Sequence, residues 1–168
     1  MKKITILLVL LLCVTFGNAQ EIPDYDSYIL KSEADFELAE PVALQAANFM
    51  LTTPIYERQD DKMKSMQFLM KWMDGTPHYK FVIDETFDLL AEDDNAFMGV
   101  YLAAQTKFMI ENKILSSDID MVKTGMWQLI ACYIENPDHK VNPSASMAEL
   151  SEANKNGNLE EFLEKYKK

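Results

Sequence analysis

Glycine, histidine and cysteine, on which many catalytic and cofactor sites depend, are scarce in this sequence of 168 residues. Five glycines leave little room for a phosphate-binding loop, and neither a nucleotide-binding fingerprint nor a Gly-x-Ser-x-Gly nucleophile motif is present. The two histidines, His78 and His139, lie far apart in the sequence and do not have the spacing of zinc ligands on a helix. The sequence therefore predicts a protein without cofactor or bound metal and favours a non-enzymatic function.

Cysteine is equally rare, with Cys13 and Cys132 as the two examples. Cys13 falls within an N-terminal apolar segment, so the rest of the chain has a single cysteine and cannot form an internal disulfide. Cys132 stands among apolar residues of a helical segment, a pattern that predicts a small buried side chain. Because burial disfavours the thiolate, we expect this thiol to react slowly in the folded protein.

Basic residues are few, and Arg58 is the only arginine in the sequence. Residues 21–168 contain 14 basic and 27 acidic side chains, a net charge of −13. Such a chain repels the phosphates of nucleic acids and of anionic lipids, so we expect neither as a ligand. The acidity is typical either of a surface that keeps the protein soluble or of one that binds a cationic partner.

Long apolar runs are absent from the sequence except at its N-terminus. Residues 1–3 form a charged start, residues 4–16 are apolar apart from two threonines, and Gly17 and Ala19 place small residues before a cleavage point near Gln20. This order predicts a secretory signal peptide over residues 1–20, too short to span a bilayer. We therefore expect an exported protein, periplasmic or secreted, without a stable membrane anchor once the signal is removed.

The remaining sequence predicts one helical domain preceded by a short leader. Residues 21–35 are polar with scattered aromatics and are interpreted as an extended leader, and residues 36–168 as a single domain. From Pro41 onward, apolar residues recur with the helical period. The predicted main helices cover about 41–52, 56–74, 77–92, 94–112 and 119–135, and short helices begin at Ala145 and after Asn158.

Short connections between these helices favour antiparallel neighbours. The predicted fold is therefore all-α, a compact antiparallel bundle of about five main helices with short C-terminal helices. A short α-hairpin array like that of tetratricopeptide repeats is the alternative, although the residue signature of that repeat is absent. The strand-like composition of residues 78–83 leaves the start of the third helix open to a strand. The fourth helix is apolar over a wide arc, so we expect it at the centre of the bundle.

Methionine is unusually abundant, with ten examples after residue 20. Four of them recur on one face of the second predicted helix: Met63, Met66, Met70 and Met73. Core packing is the simplest interpretation of this stripe, because methionine is a good helix former and fills irregular interiors. A pliable apolar binding groove and a Cu(I) site that includes His78 are the two alternatives.

These patterns favour a non-enzymatic helical protein that acts through protein–protein binding. Arg58, Trp72, Tyr101 and Trp127 are candidate contact residues because arginine, tryptophan and tyrosine dominate interfaces, with core packing as the alternative for the aromatic ones. One rival function is a carrier of an apolar small molecule, in a cavity between the second and fourth helices lined by methionine and aromatic residues. Another is an acidic inhibitor or immunity protein that neutralises a cationic enzyme. No motif identifies the partner or the oligomeric state.

Overall fold

A computed structural model of the protein describes residues 21–81, 85–91, 96–115 and 119–166. The predicted signal peptide lies outside these ranges, as does Asp94, where the fourth helix is expected to begin. The described ranges contain seven α-helices and no strand, which confirms the predicted all-α bundle. None of these helices is both long and apolar enough to cross a bilayer. They are α1 (Glu33–Thr52), α2 (Gln59–Gly75), α3 (Glu85–Ala91), α4 (Ala96–Asn112), α5 (Ile119–Glu135), α6 (Ala145–Lys155) and α7 (Leu159–Glu164).

Helix α1 begins at Glu33, so the prediction that Pro41 opens it is wrong. The backbone N–H of Ser32 donates to the Asp35 carboxylate (2.8 Å), and the Asp35 N–H donates to Ser32 Oγ (3.4 Å). This reciprocal capping box satisfies two backbone donors that the first turn would leave unpaired. Hydrogen bonds from Ser32 also lower the pKa of Asp35. Pro41 lies inside the helix, where it cannot donate to the carbonyl of Glu37.

Helix α3 begins later than the predicted Pro77, because residues 77–81 are not helical. Tyr79 is buried with its ring centroid 5.7 Å from that of Trp72, and Phe81 meets the same indole edge-on at 5.9 Å. The Tyr79 hydroxyl donates to the Glu40 carboxylate at 3.1 Å. Burial, with this hydrogen bond, raises the pKa of Tyr79 to about 12. Aromatic packing against α2 therefore replaces the first turns of the expected helix.

The core consists of two apolar clusters that share α4. An N-terminal cluster, which includes Phe49 and Trp72, lies between the leader, α1, α2 and α4. A C-terminal cluster, which includes Tyr101 and Trp127, lies between α3, α4, α5, α6 and α7. Met66 packs against both clusters. Since α4 contacts α1, α2 and α5, the prediction that it is central is confirmed.

Candidate functional site

Three of the four candidate contact residues are fully buried. The indole of Trp72 donates to the carbonyl of Phe36 at 2.9 Å. Tyr101 packs between Phe87 and Trp127, with ring centroids 4.8 and 5.6 Å away. A partner cannot touch Trp72, Tyr101 or Trp127 from outside this structure, so we correct their assignment from surface contacts to core residues. An aromatic side chain has a large apolar area that can be buried either in the core or in an interface. The packing of the helices determines which of the two occurs.

Arg58 is half-buried at the start of α2, apart from the buried aromatic residues. Its backbone is left-handed, with φ of 50°, and its guanidinium lies 4.5 Å from the centre of the Phe49 ring. The Arg58 Nε and Nη2 atoms lie 2.9 and 2.8 Å from the Asp61 carboxylate. These contacts order the connection between α1 and α2. The four candidate residues do not form one site, because Trp72 and Trp127 belong to different clusters.

The methionine stripe of α2 is only half buried. Met63 and Met70 are each 52% exposed, whereas the other two methionines are partly buried against both clusters. Leu69 and Trp72 are instead the fully buried apolar positions of this helix. The prediction that the whole stripe is core is therefore wrong for Met63 and Met70. The stripe lies at the edge of the face that α2 packs against α1 and α4. Two of its methionines contact that interface, and the other two lie in solvent.

Cys132 is exposed, so the prediction of a buried thiol is also wrong. Helix α5 buries Ile130 and Tyr133, whereas Gln128 and Cys132 are four residues apart on its solvent side. The residues next to Cys132 in the sequence are apolar, but neighbours in the sequence lie on different sides of a helix. They therefore do not show on which side Cys132 lies.

Among the described residues, neither histidine belongs to a group that could hold a metal ion. His78 Nε2 lies 2.8 Å from the carboxylate of Glu37, on α1, and His139 is buried beside Tyr133. In the part of the chain that the structure describes, no three His, Cys, Asp or Glu side chains are placed to hold a metal ion. The expected absence of a cofactor stays a prediction.

An open groove runs between the leader and α2, with aromatic rings at its base. The Tyr25 ring stacks on Phe68 at 4.7 Å between centroids, and Tyr28 meets the same ring edge-on at 6.0 Å. Ser65 Oγ donates to the carbonyl of Asp61, so the Tyr25 hydroxyl, 2.9 Å away, donates to Ser65. Burial is the main cause of the raised pKa of Tyr25. These contacts hold the leader in a defined position on α2.

The two walls of the groove differ in charge: the leader wall is acidic and the α2 wall carries both charges. Its volume is about 650 Å³. The leader contributes Asp24 and Asp26. Helix α2 contributes Lys64 and Lys71, on either side of Phe68, and the carboxylate of Asp61. A polar ligand with both charges suits such walls better than a purely apolar molecule.

The chain that forms the leader wall also exposes apolar side chains. Tyr28 is 36% exposed, Ile29 is 64% exposed, and Leu38, near the start of α1, is 78% exposed. Residues 21–40 contain seven acidic side chains and one lysine, a net charge of −6. We refer to residues 21–40 together with the groove as the leader surface. It is missing from the sequence-based site, although the concentration of acidic residues in 21–40 is a signal that the sequence carries.

A buried polar cluster joins the α1–α2 connection to the end of α5. Lys62 is 6% exposed, and its amine donates to the Tyr133 hydroxyl at 3.5 Å. That hydroxyl donates to the carbonyl of Thr53 at 2.9 Å. Burial lowers the pKa of Lys62 to about 8 and raises the pKa of Tyr133.

His139 completes the cluster, with its ring 4.1 Å from that of Tyr133 between centroids. Its Nδ1 lies 2.9 Å from the carbonyl of Tyr133, so Nδ1 carries the proton and donates it. The remaining nitrogen, Nε2, accepts from the Asn136 amide at 3.2 Å. The polar groups of this cluster mainly satisfy one another, an arrangement that stabilises the packing between distant segments.

No family model matches this sequence, and comparisons with curated proteins and with solved structures found no match either.

Proposed function

We propose that this is an exported, non-enzymatic binding protein whose leader surface docks a cationic protein partner. The observation that carries the proposal is the exposure of Tyr28, Ile29 and Leu38 within the segment that holds net charge −6. Exposed apolar area is a source of binding free energy, roughly 25 cal/mol for each Å² removed from water. A partner that covers these side chains gains this free energy on association.

The surrounding acidic residues make binding selective for a cationic partner and increase the rate of association. Opposite charge steers a cationic partner toward the surface, and like charge disfavours acidic competitors. Salt screens charges that are exposed, so binding of this kind weakens as ionic strength rises.

The leader is already ordered, which reduces the entropic cost of association. Tyr25 is stacked on Phe68 and hydrogen-bonded to Ser65 in the free chain. A binding segment that is fixed before the partner arrives loses less conformational freedom on binding. A partner segment that enters the groove would place cationic groups against Asp24 and Asp26.

An inhibitor or immunity protein directed against a cationic enzyme is a special case of this proposal, and the same experiments identify it. The rival small-molecule carrier depends on a cavity between α2 and α4. A β-carbon added at Gly99 of α4 would clash with the Cε atom of Met50 and lie 3.6 Å from the sulfur of Met66. This close packing lends the carrier hypothesis no support.

The test is affinity capture from native envelope extract, with bound proteins identified by mass spectrometry. We expect the unmodified chain to retain a basic partner that Leu38→Asp and Ile29→Asp lose. Leu115→Asp is the matched control, because Leu115 is similarly exposed but lies outside the leader surface. Thermal melts of all variants check that folding is intact. A partner retained equally by Leu38→Asp and Leu115→Asp, or one that is acidic, would contradict the proposal.

A further inference from the structure

The groove of the leader surface is bordered by charged side chains of both signs that do not pair with one another. Asp24 and Asp26 of the leader and Lys64 and Lys71 of α2 line it, and all four are exposed. Among the described residues, none of the four takes part in an ion pair. The carboxylate of Asp61, which also lines the groove, is already paired with an arginine. A ligand that has both charges can therefore lie between the two walls and pair with each of them.

Aromatic rings lie between these charges, at the base of the groove. Tyr25 is half-buried and stacks on the buried ring of Phe68, and both residues line the groove. An arginine side chain suits a site of this kind, because its planar guanidinium stacks on aromatic rings and pairs with carboxylates through two hydrogen bonds. The chain holds its own arginine in the same way. The guanidinium of Arg58 lies 4.5 Å from the centre of the Phe49 ring and 2.8 Å from the carboxylate of Asp61.

The dimensions of the groove fit a short extended peptide. Its volume of about 650 Å³ falls within the range of about 300–1,000 Å³ that is usual for ligand sites. Helix α2 rises about 10 Å between Lys64 and Lys71, and three residue steps of extended chain cover about the same length. Adjacent side chains of an extended chain point to opposite sides. In this groove one side is the acidic leader, and the other is the lysine-bearing face of α2.

We propose that the groove binds an extended peptide segment of the protein partner in which arginine alternates with glutamate or aspartate. The arginines contact the aromatic base and pair with Asp24 and Asp26, and the acidic residues pair with Lys64 and Lys71. This site rests on the proposed function, since the segment belongs to the partner that docks on the leader surface. The positive charge of the whole partner directs its approach, and the alternating segment determines which cationic proteins fit the groove.

Synthetic peptides test the order of the charges at fixed composition. Isothermal titration calorimetry with the purified protein compares acetyl-Gly-Arg-Glu-Arg-Glu-Gly-amide with acetyl-Gly-Arg-Arg-Glu-Glu-Gly-amide, which has the same residues in blocks. We expect the alternating peptide to bind with a Kd below about 1 mM and the block peptide to bind about tenfold more weakly.

Two further peptides test the chemistry at each wall. Lysine in place of both arginines should weaken binding about fivefold, because an ammonium group lacks the planar, bidentate geometry of a guanidinium. Alanine in place of both glutamates gives a purely cationic peptide, which should also bind about fivefold more weakly, because nothing then pairs with the lysines of α2. Tighter binding of this cationic peptide would mean that the general acidity of the surface attracts it, and would overturn the proposal.

Charge-removing variants at exposed positions test whether the peptide lies in the groove. Lys71→Gln and Asp26→Asn should each weaken binding of the alternating peptide about fivefold. Glu149→Gln, on α6 and outside the groove lining, should leave the affinity unchanged. All three side chains are exposed, so none of these changes threatens the fold. Equal affinities for the alternating and block peptides, or equal effects of the three variants, would overturn the proposal.

Failure of this site can be distinguished from failure of the proposed function. If a basic partner is captured through Leu38 and Ile29 but the alternating peptide does not bind, the docking function stands and the groove site is wrong. If the peptide binds with the expected order of affinities but no basic partner is captured, the groove is supported as a peptide site and the docking function is contradicted.

Discussion

Lys62 is a buried lysine whose ammonium group has no carboxylate at ion-pair distance in the described ranges. Its amine instead contacts the hydroxyl of Tyr133 and lies 5.9 Å from the centre of that ring. Burial is the main cause of its lowered pKa, about 8 against 10.5 for a free lysine. Between these two values the unfolded chain binds more protons than the folded one, so stability increases as the pH rises through this window.

Replacement of Lys62 by methionine should remove this pH dependence. We expect Lys62→Met to be at least as stable as the wild type at neutral pH, because it buries no charge. The wild type should gain stability as the pH rises from about 8 toward 10, and Lys62→Met should not. Urea unfolding across this range measures both effects, with Lys64→Met, an exposed change on the same helix, as the control. A gain in stability with rising pH that survives in Lys62→Met would contradict this account.

Cys132 should react readily in the folded protein, because its side chain is exposed on α5. We expect a thiol reagent to label the native chain at a rate within about tenfold of the denatured rate, since access and thiolate fraction govern the reaction. A mature chain without Cys13 makes the signal unambiguous, and Cys132→Ser should abolish it. If the thiol reacts only after denaturation, Cys132 is buried, as the sequence predicts, and this prediction is wrong.

Adjacent residues of α2 should differ sharply in their contribution to stability. Leu69 is fully buried and Met70 is half exposed. We expect Leu69→Ala to cost about 2–5 kcal/mol of unfolding free energy, because it leaves a cavity, and Met70→Ala to cost less than about 1 kcal/mol. Chemical denaturation of the two variants gives both values. Similar losses at the two positions would mean that the methionine stripe packs as the sequence predicts.

Several element boundaries could be predicted from the sequence because local signals decide them. Helix α5 ends at Glu135, before Asn136-Pro137, as its period and the proline predict. The start of α1 also has a local signal, since Ser32 and Asp35 form a capping pattern, whereas the prediction rested on Pro41 alone. The start of α3 could not be predicted in this way, because Tyr79 and Phe81 are not helical and pack on Trp72 of α2.

The candidate site was less predictable than the fold for a related reason. Residue type alone identified Trp72, Tyr101 and Trp127 as large aromatic groups, but burial depends on which helices surround them. The exposure of Leu38 likewise depends on which side of α1 remains without a neighbour. A sequence pattern shows which side of a helix is apolar. Which residues on that side are buried depends on where the neighbouring helices pack.

At the scale of the whole molecule, export is the prediction that most affects where a partner is sought. The order of charged, apolar and small residues in 1–19 predicts cleavage near Gln20. N-terminal sequencing of protein from the native host should begin at Gln20 or Glu21. A chain that still starts at Met1 and is recovered from the cytoplasm would contradict export and redirect the search for a partner.

The two core clusters give the molecule one intrinsic optical reporter for each half. Trp72 lies in the N-terminal cluster and Trp127 in the C-terminal cluster, and the sequence has no other tryptophan. Trp127→Phe therefore leaves fluorescence that reports on the N-terminal half, and Trp72→Phe leaves fluorescence that reports on the C-terminal half. Because α4 is shared, we expect the fluorescence midpoint of each variant to coincide with its own circular dichroism midpoint in urea. Midpoints that separate would show that the two halves unfold independently.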